Sequence, residues 1–273
     1  MLEWSLGLAG GAGGFDTRAQ LVVDTGMTTA ATGPAPYVVH GQTIALPVCV
    51  RDAVQMTALF VVPIAPARAL VGDPRLRVAE LFPGRTVCVL AAVEYLDNDL
   101  GRYNEVAVSF FVERSEQTSW PVVGPLVGFL RGGIGAYIHR LPVTTAFSCD
   151  AGRDIWGFPK TVEAITFHDV NERRTCRLAA GGQHVLDLTV HRGGTSVMKR
   201  MPQDAYAIRD GVLYHTPSTM WGEGASFRLG GAELTLGPHP WAQELRALGL
   251  PKRALMTTTL EHMHAEFGAP KVV

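Results

Sequence analysis

The sequence predicts an α+β protein that is mostly antiparallel β, with a few short helices and with strands that are expected to close into a barrel. Strand-length runs of apolar and β-branched residues alternate with turn residues from Tyr37 onwards. Glycine-containing pairs typical of two-residue hairpin turns separate such runs at Gly181-Gly182, Asp210-Gly211 and Gly230-Gly231. No internal repeat or linker divides the sequence, so residues 37–273 are predicted to form one domain.

Two antiparallel pairs are predicted in the first half of the chain. Strand-like residues at 37–40 and 42–49 flank His40-Gly41, which indicates a hairpin. A buried strand is predicted from Val87 to Tyr95, and after a turn at residues 97–99 a second strand runs from Asn104 to about Glu113.

Helices are predicted at two further places. Asp52 is expected to cap a helix from Ala53 to about Val62, which Pro63 would help to end. Residues 241–248 have helical spacing and stop at Gly249, and residues 254–260 return to a strand-like composition.

Composition excludes several classes of partner. The chain is 47% hydrophobic and 18% charged with a formal net charge of -1, so nothing favours nucleic acid or an anionic membrane. No apolar run approaches the roughly 20 residues that cross a bilayer. The four cysteines lack the short spacings of zinc or redox sites, which indicates reduced thiols in a cytoplasmic protein. His262-Met263-His264 also lacks zinc-site spacing, so no metal is predicted.

The first residues differ from the rest. Residues 1–36 contain the glycine-rich run from Leu8 to Gly14, without the preceding cationic residue of a signal peptide, and are predicted to be a flexible tail. Met27 is a plausible alternative start, because patterned sequence begins only at Tyr37. A second glycine cluster, Gly132-Gly133-Ile134-Gly135, lacks the full nucleotide-binding fingerprint and is interpreted as a turn between strands.

Lys160 is the candidate nucleophile. The chain has only four lysines against twenty arginines, and Lys160 follows the apolar segment Ile155-Trp156-Gly157-Phe158-Pro159. Burial lowers the pKa of a lysine, so a buried lysine can present the neutral amine that attacks a ketone to form an imine. A helix from Thr145 to Trp156, ended by Gly157, would lead the extended chain into a strand at Lys160. The alternative is a surface lysine whose stem lies on apolar side chains.

The segment Gly152-Arg153-Asp154-Ile155-Trp156-Gly157-Phe158-Pro159-Lys160 resembles the part of the acetoacetate decarboxylase family that carries its Schiff-base lysine. Tyr103-Asn104-Glu105 resembles the family's Tyr-x-Glu, and Arg51 and Tyr137-x-His139 occupy similar places. The resemblance implies the family's closed barrel, a lysine-imine lyase acting on a small keto acid without a cofactor, and a homo-oligomer.

Two positions depart from the decarboxylating members of that family. Thr161 stands where they have a second lysine, and Leu90 stands where they have a second carboxylate. Glu94 could replace that carboxylate, since positions 90, 92 and 94 share one face of a regular strand. Members without the second lysine resemble this chain and condense pyruvate with an aldehyde, so an aldolase-dehydratase is the alternative to a decarboxylase.

Each candidate residue has an expected role. Glu105, on one strand face with Tyr103, is expected to orient the amine or carry a proton. Arg51 is expected to bind the substrate carboxylate, with a surface ion pair as its alternative. Trp156 and Phe158 are expected to pack around the pocket and keep Lys160 dry. A β-barrel that only binds a small apolar ligand is the alternative from another functional class.

Overall fold

The computed structural model describes residues 36–116 and 134–273, which lie within one compact unit of the chain. Its helices are α1 (Ile64–Val71), α2 (Ala146–Trp156) and α3 (Pro240–Ala247), and a small hairpin is made of β1 (Tyr37–Val39) and β2 (Gln42–Ile44). Residues 1–35 of the predicted tail and Gly132-Gly133 lie outside the described residues, whereas Gly135 begins a strand.

Twelve of the described strands form the main sheet: β3 (Val48–Pro63), β4 (Leu76–Val78), β5 (Arg85–Asn98), β6 (Tyr103–Arg114), β7 (Gly135–Val143), β8 (Lys160–Val162), β12 (Ser196–Pro202), β13 (Ala205–Arg209), β14 (Val212–Thr216), β15 (Ser218–Leu229), β17 (Met256–Phe267) and β18 (Lys271–Val272). A second, four-stranded sheet contains β9 (Ala164–Val170), β10 (Arg173–Ala180), β11 (Gln183–His191) and β16 (Ala232–Leu236).

The strand pairing confirms the predicted fold class. Pairing is antiparallel throughout the described residues, except where β7 lies parallel to β8 and to β13. The main sheet curls as a half-barrel with the order β12-β15-β17-β3-β5-β6-β7-β13-β14-β18. The described pairings therefore leave β12 and β18 as its two ends and do not join them into the closed ladder that was expected.

The helix expected from Ala53 to Val62 is wrong, because these residues belong to the long strand β3. β3 pairs with β5 on one side and β17 on the other, and its β-branched residues suit a strand that is buried between two neighbours. The Asp52 carboxylate lies 3.2 Å from Nδ1 of His262 on β17 and caps no helix. The helix lies after Pro63 instead, where α1 begins at Ile64.

Two of the three predicted glycine hairpins are confirmed. Gly181-Gly182 joins β10 to β11, and Asp210-Gly211 joins β13 to β14. Gly230-Gly231 does separate two strands, but it joins no hairpin, because β15 pairs with β17 whereas β16 pairs with β11 of the second sheet. The predicted β1–β2 and β5–β6 pairs, α2, α3 and β17 are all present.

The two faces of the main sheet bury different apolar clusters. The inter-sheet cluster joins the main sheet to the second sheet and contains Phe60, Leu90, Phe110, Leu178 and Leu188. The α2 cluster contains Tyr95, Tyr103, Leu141, Ile155, Trp156 and Phe158. Neighbouring residues of β5 alternate between the clusters, with Leu90 and Ala92 on the first face and Val93 and Tyr95 on the second. This alternation decides which side chains can meet Lys160.

The remaining general features concern thiols and membranes. Cys88, Cys149 and Cys176 are buried, Cys49 is partly buried, and none forms a disulfide. Within the described residues, every helix is too short or too polar to cross a bilayer.

Candidate active site

Helix α2 and its caps place Lys160. Thr145 precedes the helix in an extended conformation and its side chain accepts a hydrogen bond from the Ser148 N–H, as an N-cap does. Gly157 ends the helix with a φ of 69°, a left-handed conformation that favours glycine. The chain then enters β8, where Lys160 pairs with Leu141 of β7. The predicted helix and its exit into a strand are thus confirmed.

Gly152 makes room for the stem of the lysine. A Cβ atom at this position would lie 2.4 Å from Cδ and 2.5 Å from Cε of Lys160, closer than real Cβ atoms approach other atoms. The glycine in the middle of α2 therefore serves close packing, although glycine weakens a helix by about 1 kcal/mol relative to alanine. The side chain of Lys160 consequently lies against the helix backbone.

Lys160 and Glu105 form a buried ion pair. The Lys160 Nζ atom lies 2.9 Å from Oε2 of Glu105, and the two side chains are only 4% and 11% exposed. Glu105 reaches the lysine from β6, where it pairs with Val93 of β5 and Val143 of β7. The structure therefore brings together the two residues that were expected to be catalytic.

Tyr95 and Tyr103 lie beside this ion pair and form the Lys160 cluster together with Lys160 and Glu105. The Tyr95 hydroxyl donates to Oε1 of Glu105 at 3.1 Å, and the Tyr103 ring centre lies 5.1 Å from Nζ of Lys160. Their rings stack with centroids 4.4 Å apart. Burial and the neighbouring carboxylate of Glu105 raise the pKa of both phenols well above 10.0, so both remain protonated at neutral pH. Tyr103 was predicted, whereas Tyr95 was missed.

Trp156 and Phe158 belong to the α2 cluster beside the lysine. Both are buried, and their rings stack with centroids 5.9 Å apart. The Trp156 indole N–H donates to the Gly268 carbonyl at 2.9 Å, which satisfies its one polar group within the core. These contacts fit packing around the lysine, and substrate contact by either ring stays a prediction.

Glu94 does not replace a second carboxylate at Lys160, which corrects that expectation. Positions 90, 92 and 94 do share a face of β5, but it is the face toward the inter-sheet cluster. Glu105 and Tyr95 lie on the opposite face. The Glu94 carboxylate accepts a hydrogen bond from the Arg174 guanidinium of β10, in the second sheet.

Arg51 lies in a surface ion pair, the alternative to the expected substrate site. Its guanidinium donates to Asp97 at 2.7 Å and to Asp99 at 2.5 Å, and its side chain is 49% exposed. These two aspartates raise the pKa of Arg51 further above its ordinary value, through hydrogen bonds first and charge second. No contact joins Arg51 to Lys160 or Glu105 in the described structure, so a role in substrate binding stays a prediction that these contacts do not support.

His139 belongs to a separate polar cluster. The ladder between β6 and β7 shifts register between Val108 and Ser109, where His139 and the adjacent Arg140 both reach Glu244 of α3. They line a small cavity together with Leu178, Leu186, Trp241 and Leu245. Burial lowers the pKa of His139, although the hydrogen bond to Glu244 opposes this. Lys160 does not line this cavity.

The Lys160 cluster can transfer protons beside a nucleophile. A carboxylate at hydrogen-bond distance can take a proton from the ammonium group and leave the neutral amine that attacks a carbonyl carbon. Aromatic and aliphatic side chains of the α2 cluster surround this pair, which favours imine formation over hydration. Among the described residues, no group of three or more histidine, cysteine, aspartate or glutamate side chains is arranged to hold a metal ion.

Comparisons with known proteins point to one family. The family model described as acetoacetate decarboxylase matches residues 34–273. No curated protein sequence matches the chain.

Solved structures share the fold. Acetoacetate decarboxylase from Legionella pneumophila has a TM-score of 0.60 at 15% identity, covering 89% of this chain and 93% of its own. The enduracididine biosynthesis enzyme MppR complexed with pyruvate has a TM-score of 0.55 at 14% identity, covering 88% of this chain and 98% of its own. An acetoacetate decarboxylase-like enzyme from Sphingomonas wittichii RW1 has a TM-score of 0.54 at 14% identity, covering 88% of this chain and 100% of its own.

Proposed function

The chain belongs to the acetoacetate decarboxylase family, and from that membership we propose that it is a lysine-dependent carbon–carbon lyase that decarboxylates a small β-keto acid through an imine at Lys160. One observation carries this proposal. The lysine amine is buried at 4% exposure, 2.9 Å from the carboxylate of Glu105. A protein that only binds a ligand has no need for a buried amine beside a proton acceptor.

The proposed reaction begins with proton transfer from the Lys160 ammonium to Glu105. The neutral Nζ attacks the ketone carbon, and the adduct loses the ketone oxygen as water to give a protonated imine. The bond between the α-carbon and the carboxylate carbon then breaks, so that carbon dioxide leaves and the electron pair forms an enamine. Protonation of the enamine carbon and hydrolysis of the imine release a ketone and restore the lysine.

The surrounding residues support these steps in different ways. Glu105 returns the lysine proton to the departing hydroxyl, which leaves as water, and a proton that Glu105 then takes up from water passes to the enamine carbon. The Tyr95 hydroxyl keeps this carboxylate in place, since its raised pKa makes it a hydrogen-bond donor at neutral pH. The Tyr103 ring covers the amine and stabilises the positive charge of the imine nitrogen.

An aldol condensation is the second candidate. Thr161 is exposed and supplies no second amine beside Lys160. MppR, which shares the fold, is known in a complex with the condensation product of pyruvate and imidazole 4-carboxaldehyde. In this alternative the imine of pyruvate loses a methyl proton to Glu105, and the resulting enamine forms a carbon–carbon bond with the aldehyde. The aldehyde oxygen then leaves as water.

Reductive trapping tests the imine. Borohydride should link a keto acid covalently to the wild-type chain, and intact mass should show one adduct. Lys160→Ala should abolish this adduct, and Lys160→Arg should also do so because a guanidinium remains protonated and cannot attack. Lys199→Ala is the matched control, since Lys199 is exposed on β12. An adduct that persists in Lys160→Ala would refute the proposal.

Product analysis separates the two reactions. Release of carbon dioxide from acetoacetate or another β-keto acid would favour decarboxylation. An unsaturated product from pyruvate and an aldehyde, without carbon dioxide, would favour condensation.

A further inference from the structure

Gln55 lies on the same face of the main sheet as Glu105. On β3 it pairs with Val93 of β5 and Leu260 of β17, and both neighbours belong to the α2 cluster. Val93 pairs in turn with Glu105 of β6. Paired residues of neighbouring strands point to the same side, and strands lie about 4.8 Å apart, so the two α-carbons are separated by about 10 Å.

The Gln55 carboxamide has one hydrogen-bonding group without a partner. Its Nε2 donates to the Thr57 hydroxyl at 3.0 Å, whereas the shielded Oε1 atom has no hydrogen-bond partner in the described structure. Buried polar atoms are nearly always hydrogen-bonded in folded proteins, so an unpartnered oxygen near an active site indicates a position for a bound group.

Small side chains lie beside the row that joins this carboxamide to Glu105. Thr57 pairs with Ala91, and Ala91 pairs with Ala107 of β6, next to the row that holds Gln55, Val93 and Glu105. Both alanines are partly exposed. Val93 stands between Gln55 and Glu105 within their own row. The carboxamide reaches Thr57 in the alanine row, however, where the sheet surface is low and leaves room for a short carbon chain that extends from Lys160.

We propose that Gln55 is a specificity-determining residue whose Oε1 accepts a hydrogen bond from the end of the substrate remote from the imine. The substrate class is then a keto acid that carries a hydroxyl or N–H donor a few carbon atoms beyond its ketone. This assignment rests on the proposed imine at Lys160 and adds the second point of recognition.

Two matched probes test the assignment. 6-Hydroxy-3-oxohexanoate and 3-oxoheptanoate differ only in a hydroxyl against a methyl group at the remote end. Binding of each probe is measured as the probe concentration that gives half-maximal borohydride trapping. The keto acid adduct and the ketone adduct that remains after loss of carbon dioxide are counted together. Wild type should prefer the hydroxylated probe about five- to tenfold, the range of one hydrogen bond to a neutral group. Gln55→Met should lose the preference, whereas Gln55→Glu, which keeps an acceptor oxygen, should retain it.

Gln183→Met is the control, because Gln183 is exposed in the second sheet. Equal binding of both probes by wild type would overturn the assignment, and so would an unchanged preference in Gln55→Met. Either result would mean that Oε1 binds a buried water and not the substrate. Loss of trapping of both probes in folded Gln55→Met would also overturn it, since the glutamine would then support the lysine itself. Absence of trapping in wild type with either probe and with acetoacetate would contradict the proposed function instead.

Discussion

The two carboxylate oxygens of Glu105 contact different groups. Lys160 binds one carboxylate oxygen and Tyr95 donates to the other, so both oxygens are occupied before any substrate enters. Removal of a proton from the lysine leaves the carboxyl group bonded to the same tyrosine. This arrangement would keep Glu105 in one position through the proposed reaction, which lowers the cost of reorganisation.

Glu105→Gln should weaken both the fold and the chemistry. The Lys160 ammonium would remain buried without an anion, and loss of one partner of a buried pair costs about 3 kcal/mol. The rate of reductive trapping should fall by about 100-fold, because the nearby proton acceptor is gone. Urea unfolding and timed trapping measure the two effects. Glu233→Gln, at an exposed pair with Arg173, should cost less than about 1 kcal/mol. Wild-type trapping rates in Glu105→Gln would exclude a proton-transfer role.

At this scale, the burial of Lys160 was predicted correctly because its signal is local. Lys160 could be found because lysine is rare in the chain and its neighbours are apolar. Tyr95 could have been found from the pairing of β5 with β6, since Tyr95 stands opposite Tyr103. The partners of Arg51 could not, because Asp97 at the end of β5 and Asp99 in the following turn bind it from about fifty residues away.

Helix α2 sets the position of the amine through close packing. Gly152 presents bare backbone to the stem of Lys160, and a turn of polypeptide from Gly157 to Pro159 separates this helix from the lysine. The direction of the stem therefore depends on the contact between α2 and β8. A small displacement of the helix would move the amine away from Glu105.

Gly152→Ala should impair chemistry more than stability. Alanine favours the helix, but its Cβ would meet Cδ and Cε of Lys160 and force the flexible stem to move. A displacement of about 1 Å can cost about 100-fold in rate. Trapping should slow by at least about tenfold while the melting temperature changes by only a few degrees. A variant that traps keto acids at the wild-type rate would show that the stem adjusts without consequence.

His139 should make the attachment of α3 sensitive to pH. Burial depresses the pKa of folded His139 below the ordinary 6.5, so the unfolded chain binds the proton first as pH falls. Stability contributed by neutral His139 is therefore present above pH 6.5 and is lost below it. His139→Gln should reduce the loss of unfolding free energy between about pH 7 and pH 5. Urea unfolding at several pH values measures this, and an unchanged slope would contradict it.

The elements that were predicted correctly have local end signals. Thr145 and Gly157 bound α2, and paired glycines mark two hairpins. The helix expected after Asp52 failed because pairing with β5 and β17 outweighs a local capping signal. Gly230-Gly231 failed as a hairpin because β16 finds its partner in the other sheet. Long-range pairing is absent from any short window of sequence.

The two sheets are joined by a charged contact as well as by apolar packing. Arg174 of β10 is buried, binds the Glu94 carboxylate of β5 and lies over the Phe167 ring at 4.6 Å. Its other carboxylate neighbour, Asp169, is 3.7 Å away. Glu94 thus serves the assembly of the whole molecule rather than the lysine. The sequence predicted correctly that positions 90, 92 and 94 share one face of β5. It did not show that this face packs against the inter-sheet cluster and not against the α2 cluster.

Glu94→Gln should loosen this junction. Arg174 would lose its hydrogen-bonded carboxylate and keep Asp169 at 3.7 Å, so we expect a loss of about 2–3 kcal/mol of unfolding free energy. The double variant Glu94→Leu with Arg174→Met should lose less than the two single changes together, because it leaves no unpaired buried charge. Urea unfolding gives these energies, and strictly additive losses would indicate that the two residues do not interact.

The burial of Lys160 separates it from the exposed lysines of the chain, because different reagents can reach them. Lys199 and Lys271 are exposed, whereas the Lys160 side chain is only 4% exposed. Bulky acylating reagents should therefore modify the exposed amines and spare the proposed nucleophile. Protein immobilised or labelled by that route should keep its activity. A small ketone should compete with the substrate for Lys160 alone.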